Sequence, residues 1–215
     1  MTATFIPPPH NEVPQALSDW ERFIHDDDHV PALLKIGLAH AQFETIHPFL
    51  DGNGRVGRLL ITFFLCNKGL LQKPVLYLSH YFKQNRTEYY QRLQNVRDLG
   101  DWENWLKFFL RGVGSVAAQA TETARQIVSL RETHRALITE QFGSGAGRAS
   151  KLLESLYKRP SVTVNDARDL LGISYANANN MIEKFREHEM LFEITGNARN
   201  RVFFYSPYID LFSKF

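Results

Sequence analysis

The chain has 215 residues, and its hydrophobic fraction of 44% with 13% aromatic residues excludes an intrinsically disordered protein. The formal charge of +2 at pH 7 excludes a strongly basic nucleic-acid coat and an acidic tail. A single cysteine, Cys66, excludes a scaffold of internal disulfides, and the first residues have no signal-peptide pattern. The longest apolar run is also too short to span a membrane, so we expect a soluble cytoplasmic protein.

Two helices are predicted in the first fifty residues. Residues 13–25 carry apolar side chains at helical spacing. A second helix is expected to begin at Pro31, because proline suits the first turn of a helix and acidic residues precede it. This helix should stop at His47, since Pro48 disfavours helical geometry in the residue before it.

The next segments are predicted as a helix, a strand and two more helices. A helix should run from Arg55 to Lys68 and end at Gly69, with Phe63 in the core and Cys66 as an inert buried thiol. Residues 73–79 (KPVLYLS) are typical of an extended segment. Helices are expected again in residues 85–96 and in residues 102–138, of which the second is long enough to join two domains.

The last third of the chain has shorter predicted elements. Residues 143–147 (GSGAG) have the composition of a linker, and no apolar strand precedes them as a nucleotide-binding glycine loop would require. Three short helices are expected in residues 151–157, 165–171 and 174–188, followed by two strands, LFEIT and RVFFYS. Three helices and a hairpin in this order are the outline of a winged helix.

The segment from His47 to Arg58, HPFLDGNGRVGR, concentrates chemically useful groups. Its glycines allow backbone N–H groups to form an anion nest at a helix N-terminus. Two arginines three residues apart can bind phosphate oxygens, and Asp51 is a hard oxygen ligand suited to Mg²⁺. The imidazole of His47 can accept a proton from a hydroxyl group at neutral pH.

This segment resembles the signature HxFx(D/E)GNGRxxR of the Fic (filamentation induced by cAMP) family, and it matches every defined position. FIPPP upstream, and LYLSHYFKQNRTEYY and GDWENWLKFFL downstream, also resemble family features. Most members are protein adenylyltransferases. The resemblance therefore implies transfer of AMP from Mg²⁺-ATP to a Ser, Thr or Tyr hydroxyl of a target protein, with release of pyrophosphate.

The resemblance also implies a role for individual residues. His47 would be the catalytic base, and Asp51 would hold Mg²⁺. Asn53 and the backbone of Gly52 and Gly54 would cradle the α-phosphate, and Arg55 and Arg58 would bind the β- and γ-phosphates. The expected nucleotide-binding residues are Gly52, Asn53, Gly54, Arg55, Val56, Gly57, Arg58 and Tyr89, with Tyr89 stacked on adenine. The expected flap, which would pair with an extended segment of the target, consists of Val75, Leu76, Tyr77, Leu78 and Ser79.

The expected fold class is mainly α: a Fic-type helical core with a short β-hairpin flap, followed by a small winged-helix (α+β) domain. We assign residues 1–112 to the catalytic core, 113–147 to a connecting helix and glycine-rich linker, and 148–215 to the winged helix. A homodimer and DNA binding through the winged helix are open partner assignments. Members with lysine where this chain has Gly54 transfer phosphate instead, so Gly54 favours AMP transfer.

Two alternatives remain at this stage, one for a metal site and one for the function. His40, Glu44 and His47 share a helix face and could hold a metal, although structural hydrogen bonding by His40 and Glu44 is favoured. The chain could be a DNA-binding regulator that only senses nucleotide.

Many family members carry an inhibitory helix, (S/T)xxxE(G/N). Its nearest match here, residues 150–155 with Glu154, fails at the last position, so we expect no inhibitory helix in this chain.

Overall fold

A computed structural model of the chain describes residues 5–26, 29–71, 78–197 and 199–212. The described residues are mainly helical and include one small antiparallel sheet. The α-helices are α1 (Val13–His25), α2 (Ala32–Ile46), α3 (Asn53–Asn67), α4 (Leu78–Gln84), α5 (Arg86–Leu99), α6 (Trp102–Gln141), α7 (Ala146–Leu156), α8 (Val164–Leu171), α9 (Tyr175–Glu187) and α10 (Ser206–Ile209). The strands are β1 (Ser161–Thr163), β2 (Phe192–Glu193) and β3 (Val202–Phe204). None of the described helices is both long and apolar enough to cross a lipid bilayer.

The predicted helices of the first half are confirmed with small shifts at their ends. Helix α2 ends at Ile46, and His47 caps it in a left-handed conformation. Helix α3 begins directly after Gly52 and carries the predicted glycine at its far end, where Gly69 has φ of +69°. A positive φ of this size is adopted by glycine at little cost, so Gly69 stops the helix as expected.

The chain divides into two compact units, Met1–Ala120 and Thr121–Phe215. The first unit has an aromatic core in which Trp105, Phe108 and Phe109 of α6 are completely buried. The indole N–H of Trp105 donates to the carbonyl oxygen of Gly37 at 2.9 Å, so α6 is tied to the backbone of α2. This core supports α2 and α3, the two helices that flank the HPFLDGNGRVGR segment.

The second unit has its own core, which includes the fully buried residues Phe185, Phe203 and Tyr205. Its sheet has the strand order β1-β3-β2, and both pairings are antiparallel. A reciprocal capping box between Thr163 and Asp166 starts α8, and the hydroxyl of Ser174 accepts a hydrogen bond that starts α9. The three predicted helices and the predicted hairpin are therefore present, and β1 adds an edge strand that the sequence pattern did not indicate.

Several details of the prediction need correction. The expected linker is instead a single 3₁₀ turn, Gly143–Gly145, and α7 begins at Ala146, five residues before the predicted start. Phe63 is 59% exposed rather than in the core, because Ile61 and Leu65 occupy the inner face of α3. Cys66 is half-buried, not fully buried.

The packing of α4 against α6 can be tested by substitutions at two glycines of α6. A methyl group on Gly112 would lie 2.7 Å from ring atoms of Tyr81, whereas one on Gly114 would meet nothing within 4 Å. We expect Gly112→Ala to lower the free energy of unfolding by about 1–3 kcal/mol through overpacking. Gly114→Ala should raise it by about 0.5–1 kcal/mol, because alanine favours the helix over glycine. Urea denaturation of both variants measures this, and equal effects would contradict the close contact at Gly112.

Candidate functional site

The connection between α2 and α3 places His47 at a sharp change of chain direction. The backbone N–H of His47 still bonds to the carbonyl oxygen of Phe43 at 3.0 Å, but its φ of 50° is left-handed. Pro48 accounts for the end of the helix, and the positive φ of His47 turns the chain away from the line of α2. A left-handed non-glycine residue costs about 1–3 kcal/mol and is held by its surroundings, a feature that clusters at functional sites.

The side chain of Asn53 closes this connection. Its amide nitrogen donates to the carbonyl oxygen of Phe49 at 2.6 Å, and its amide oxygen accepts the N–H of Phe49 at 2.8 Å. Asn53 is 2% exposed, so its side-chain amide forms hydrogen bonds within the protein rather than with solvent. The side chain of Asn53 holds the loop, so the predicted role of Asn53 in cradling the α-phosphate falls to its backbone N–H, which precedes the helical hydrogen bonds of α3.

The N-terminus of α3 is open to an anion. The first backbone bond of the helix runs from the N–H of Val56 to the carbonyl oxygen of Gly52 at 3.0 Å, so the N–H groups of residues 53–55 precede the helical ladder. Gly52 has φ of +85°, a conformation that glycine adopts without the penalty of a side chain. Unbonded N–H groups and the helix dipole together favour a bound phosphate at this position.

Arg55 and Arg58 do not form one clamp, contrary to the expectation from their spacing. Arg55 is exposed and pairs with the carboxylate of Asp51 at 3.1 Å. Arg58 is half-buried and lines a cavity of about 310 Å³ with Lys83, Arg86, Tyr90 and others. The cavity therefore combines three cationic side chains, and Arg58 is the one that comes from α3.

Asp51 is exposed, and one of its carboxylate oxygens accepts the N–H of Gly52 at 2.6 Å. Mg²⁺ is commonly bound by one or two carboxylates together with substrate phosphates and water. A single accessible carboxylate next to the phosphate-binding N–H groups fits such an ion, provided that the ion pair with Arg55 opens. Within the described residues, no three His, Cys, Asp or Glu side chains are grouped to hold a metal.

Two further predicted nucleotide-binding residues, Val56 and Gly57, lie in the first turns of α3 and pack within the protein. Val56 is half-buried and its backbone N–H is used in the helix. Gly57 is buried where α3 crosses α2, and a methyl group there would lie 2.6 Å from a carboxylate oxygen of Glu44. Gly57 is thus required for the close approach of the two helices.

His40 is a structural residue. Its Nδ1–H donates to the carbonyl oxygen of Gly57 at 3.1 Å, and its Nε2 accepts the hydroxyl hydrogen of Tyr89 at 2.9 Å. Burial lowers the pKa of His40 to about 4, so the ring is neutral at pH 7. Both nitrogens are occupied, which speaks against the metal site considered for His40, Glu44 and His47.

Tyr89 does not offer a ring face to adenine, so this prediction is also corrected. It is 2% exposed, it stacks on Phe82 with 4.7 Å between ring centroids, and its hydroxyl is bound to His40. The next residue, Tyr90, is 53% exposed. The sequence held a signal for this difference: Tyr89, Leu93 and Val96 share one apolar face of α5, which leaves Tyr90 outside.

A second cavity of about 440 Å³ lies beside His47. It is lined by Phe5, Glu44, Tyr90 and Arg97 among others, so Tyr90 lines both cavities. The guanidinium of Arg97 lies 3.7 Å from the ring centroid of Phe5, and it donates to the carbonyl oxygen of Glu44 at 2.9 Å. Sequence reasoning missed Tyr90 and Arg97, because neither lies in the HPFLDGNGRVGR segment.

The predicted flap lies mostly outside the described residues. Nothing is described for Val75, Leu76 and Tyr77, whereas Leu78 and Ser79 belong to the first turn of α4. The expectation of an extended strand is therefore wrong for these last two residues. Leu78 is buried in the core, which explains the helical end of the segment.

Two features of the second unit bear on the predictions about an inhibitory helix and about DNA binding. Glu154 of α7 pairs with both Arg131 and Arg135 at 2.9 Å, within that unit. A cavity of about 490 Å³ lies between α9 and the hairpin and is lined by Tyr175, Arg199 and Arg201 among others.

Comparison with known proteins connects this geometry to one family. Residues 2–65 match the model of the Fic/DOC family. A probable protein adenylyltransferase of Aquifex aeolicus is 33% identical over 96 residues, covering 45% of this chain and 28% of that protein. The protein adenylyltransferase Fic of Drosophila willistoni is 34% identical over 129 residues, covering 51% of this chain and 25% of that protein.

Among solved structures, a Fic family protein from Desulfovibrio desulfuricans matches with a TM-score of 0.52 and 24% identity. The match covers 93% of this chain and 56% of that protein, and it supports the fold. The chain spans only about a quarter to a third of the length of the curated relatives that it matches.

The loop closure by Asn53 generates a prediction. Asn53→Ala removes both hydrogen bonds to Phe49, so we expect the free energy of unfolding to fall by about 1–3 kcal/mol. The amide hydrogen of Phe49 should also exchange faster with solvent. Asn104→Ala is the control, because the amide of Asn104 bonds an exposed carboxylate at 2.9 Å. Unchanged exchange at Phe49 in Asn53→Ala would contradict the loop closure.

Proposed function

We propose that this chain is a protein adenylyltransferase that moves AMP from ATP to a protein hydroxyl, since its residues 2–65 match the model of the Fic/DOC family. The observation that carries the proposal is the single connection from α2 to α3. It holds an imidazole at a left-handed helix end, a phosphate-binding helix N-terminus and, one turn on, a half-buried arginine in a cavity.

In the proposed reaction, His47 accepts the proton of a Ser, Thr or Tyr hydroxyl of the target. The hydroxyl oxygen then forms a bond to the α-phosphorus of ATP, the bond to the bridging oxygen breaks, and pyrophosphate leaves. The N–H groups of residues 53–55 are oriented before the reaction begins, so they stabilise the negative charge that develops on the α-phosphate.

Arg58 is the proposed partner of the β- and γ-phosphates, since it lines a cavity with Lys83 and Arg86. Asp51 is the residue that would hold Mg²⁺. The ion would neutralise phosphate charge when it is bound with the nucleotide. Arg55 is assigned to keeping Asp51 in place before the nucleotide arrives, because the two side chains form an ion pair at 3.1 Å.

We assign the base of the nucleotide to Tyr90 rather than Tyr89. Tyr90 is 53% exposed and lines both the cavity of Arg58 and that of His47, and the guanidinium of Arg86 lies 5.6 Å from its ring centroid. An exposed aromatic face binds a purine by stacking, and a ring that is already packed on Phe82 does not.

The remaining predictions stand as parts of this proposal. Residues 1–112 would form the catalytic core, 113–147 a connection and 148–215 a winged helix, in a cytoplasmic protein that can form a homodimer. Of the predicted flap, Val75, Leu76 and Tyr77 would bind an extended target segment by strand addition. The pairing of Glu154 with Arg131 and Arg135 supports the expectation that it is not an inhibitory carboxylate.

A second candidate function is DNA binding through the winged helix. The cavity lined by Tyr175, Arg199 and Arg201 favours it, because arginines near a recognition helix can contact phosphates. Arg201 is already paired with Glu183 at 3.2 Å, and this weakens the cationic surface. We therefore rank DNA binding below AMP transfer.

His47→Ala should abolish AMP transfer and leave ATP binding within about twofold of the original chain, because the imidazole contacts the nucleophile. Loss of a general base costs about 10²–10⁴ in rate. The measurement is the mass gained by proteins of a lysate incubated with Mg²⁺-ATP, with His80→Ala as the control.

A gain of phosphate instead of AMP would indicate phosphate transfer. No gain, together with salt-sensitive DNA binding, would favour the regulator.

Arg58→Ala should weaken the binding of ATP more than that of AMP, since only ATP has the terminal phosphates. Arg55→Ala should weaken metal-dependent binding less, because the exposed Arg55 acts only through Asp51. Calorimetric titration with each nucleotide measures the difference. Equal losses for ATP and AMP in Arg58→Ala would contradict the assignment of Arg58.

A further inference from the structure

The candidate site contains a buried carboxylate that the proposed reaction does not use. Glu44 lies on the last turn of α2, is 6% exposed, and has an oxygen, Oε1, without a hydrogen-bond partner. Within the described residues, the other buried side-chain atom without such a partner is Nδ1 of His47. Unsatisfied buried polar atoms are uncommon in folded proteins, and two in one site call for a physical reason.

The two groups are neighbours in the fold. Glu44 and His47 are three residues apart at the end of α2, and both line the cavity of about 440 Å³. A charge on His47 lowers the pKa of the Glu44 carboxyl, so the two groups are close enough to interact. A cavity of this size has room for an ordered water that bonds both atoms.

The groups packed around Glu44 favour its charged form while burial opposes it. Burial raises the pKa of the Glu44 carboxyl, and Arg58 of α3, His47, and Arg97 of α5 act in the opposite direction. His40 lies 4.0 Å away on α2 but is neutral, so it does not pair with the carboxylate. The hydroxyl of Tyr89, on α5, also acts to lower the pKa of the Glu44 carboxyl, and it lies 2.9 Å from Nε2 of His40.

The position of the carboxylate is restricted by α3. A methyl group at Gly57 would lie 2.6 Å from Oε1, so the backbone of α3 closes over this oxygen. The side chain therefore has little freedom to move away from the end of α2. A carboxylate held in this way can orient a neighbouring imidazole.

We propose that Glu44 is a positioning residue for His47, whose Nδ1–H it binds through one ordered water. This inference rests on the proposed function of His47 as the base. The link selects the tautomer with a proton on Nδ1, which leaves Nε2 free to accept the hydroxyl proton of the target. It also stabilises the imidazolium ion that forms, as a carboxylate does in a catalytic triad.

The proposed reaction balances in protons and electrons without a further reactant. The hydroxyl proton moves to Nε2 of His47, the electron pair of the hydroxyl oxygen forms the new bond to phosphorus, and pyrophosphate departs with the electrons of the broken bond. The proton on Nδ1 stays in place, so Glu44 remains a carboxylate throughout.

The test follows the imidazole of His47 by nuclear magnetic resonance in the full chain, and it needs no enzymatic activity. In the unaltered chain at high pH, the nitrogen shifts should show the tautomer with hydrogen on Nδ1. In Glu44→Gln, the midpoint of the His47 titration should fall by half a pH unit or more, because the negative charge is gone. Glu103→Gln is the control, since it removes an exposed carboxylate that pairs with Lys107 at 2.6 Å.

Kinetics give the second readout. Glu44→Gln should lower kcat about tenfold and shift the acid limb of its pH profile to lower pH, with the Kd of ATP within twofold. Glu44→Asp keeps the charge and should keep the titration midpoint. If the glutamine variant does not fold, the aspartate variant is measured in its place. A hydrogen on Nε2, or an unchanged midpoint in Glu44→Gln, overturns the inference. So does an effect on ATP affinity alone, which would make Glu44 a partner of Arg58.

The two proposals fail in different ways. If the unaltered chain transfers no AMP but the His47 midpoint moves in Glu44→Gln, the proposed function is wrong and the pairing stands. If AMP is transferred and the midpoint does not move, His47 acts without Glu44.

Discussion

The pair of hydrogen bonds between Asn53 and the backbone of Phe49 determines the geometry of the whole site. It joins the residue that begins α3 to the loop that follows α2, and both bonds are shorter than 3 Å. Because the amide is buried, water cannot replace these bonds without cost. The orientation of His47 relative to the open N-terminus of α3 follows from this one closure.

The second constraint is the close approach of α2 and α3 at Gly57. A side chain at this position would collide with Glu44, and the carbonyl oxygen of Gly57 accepts a hydrogen bond from His40. The two helices therefore meet through backbone and polar atoms rather than through a layer of aliphatic side chains. This arrangement leaves a buried carboxylate that lines the same cavity as His47, and a larger residue at position 57 would displace it.

Three residues of the GNGRVGR sequence thus serve structure more than chemistry. Asn53 closes the loop, Gly57 admits the helix crossing, and Arg55 holds Asp51. The groups left for a substrate are few: the imidazole of His47, the backbone N–H groups of residues 53–55, Asp51 and Arg58. Each is presented by an element whose position the surrounding packing decides, which is the usual way in which a rigid scaffold orients reactive groups.

The sequence by itself determined the helices, because their apolar spacing, Pro48 and Gly69 act locally on the backbone. It also led to the hypothesis that the chemistry lies in the twelve residues from His47 to Arg58, since His47, Asp51, Arg58 and the glycines are chemically distinctive. Only the tertiary structure decided that Tyr90 and not Tyr89 is exposed, that Asn53 faces inward, and that Glu44 lies beside His47. These facts depend on which face of each helix meets the aromatic core. Such contacts join residues as far apart as His40 and Tyr89, and no local pattern encodes them.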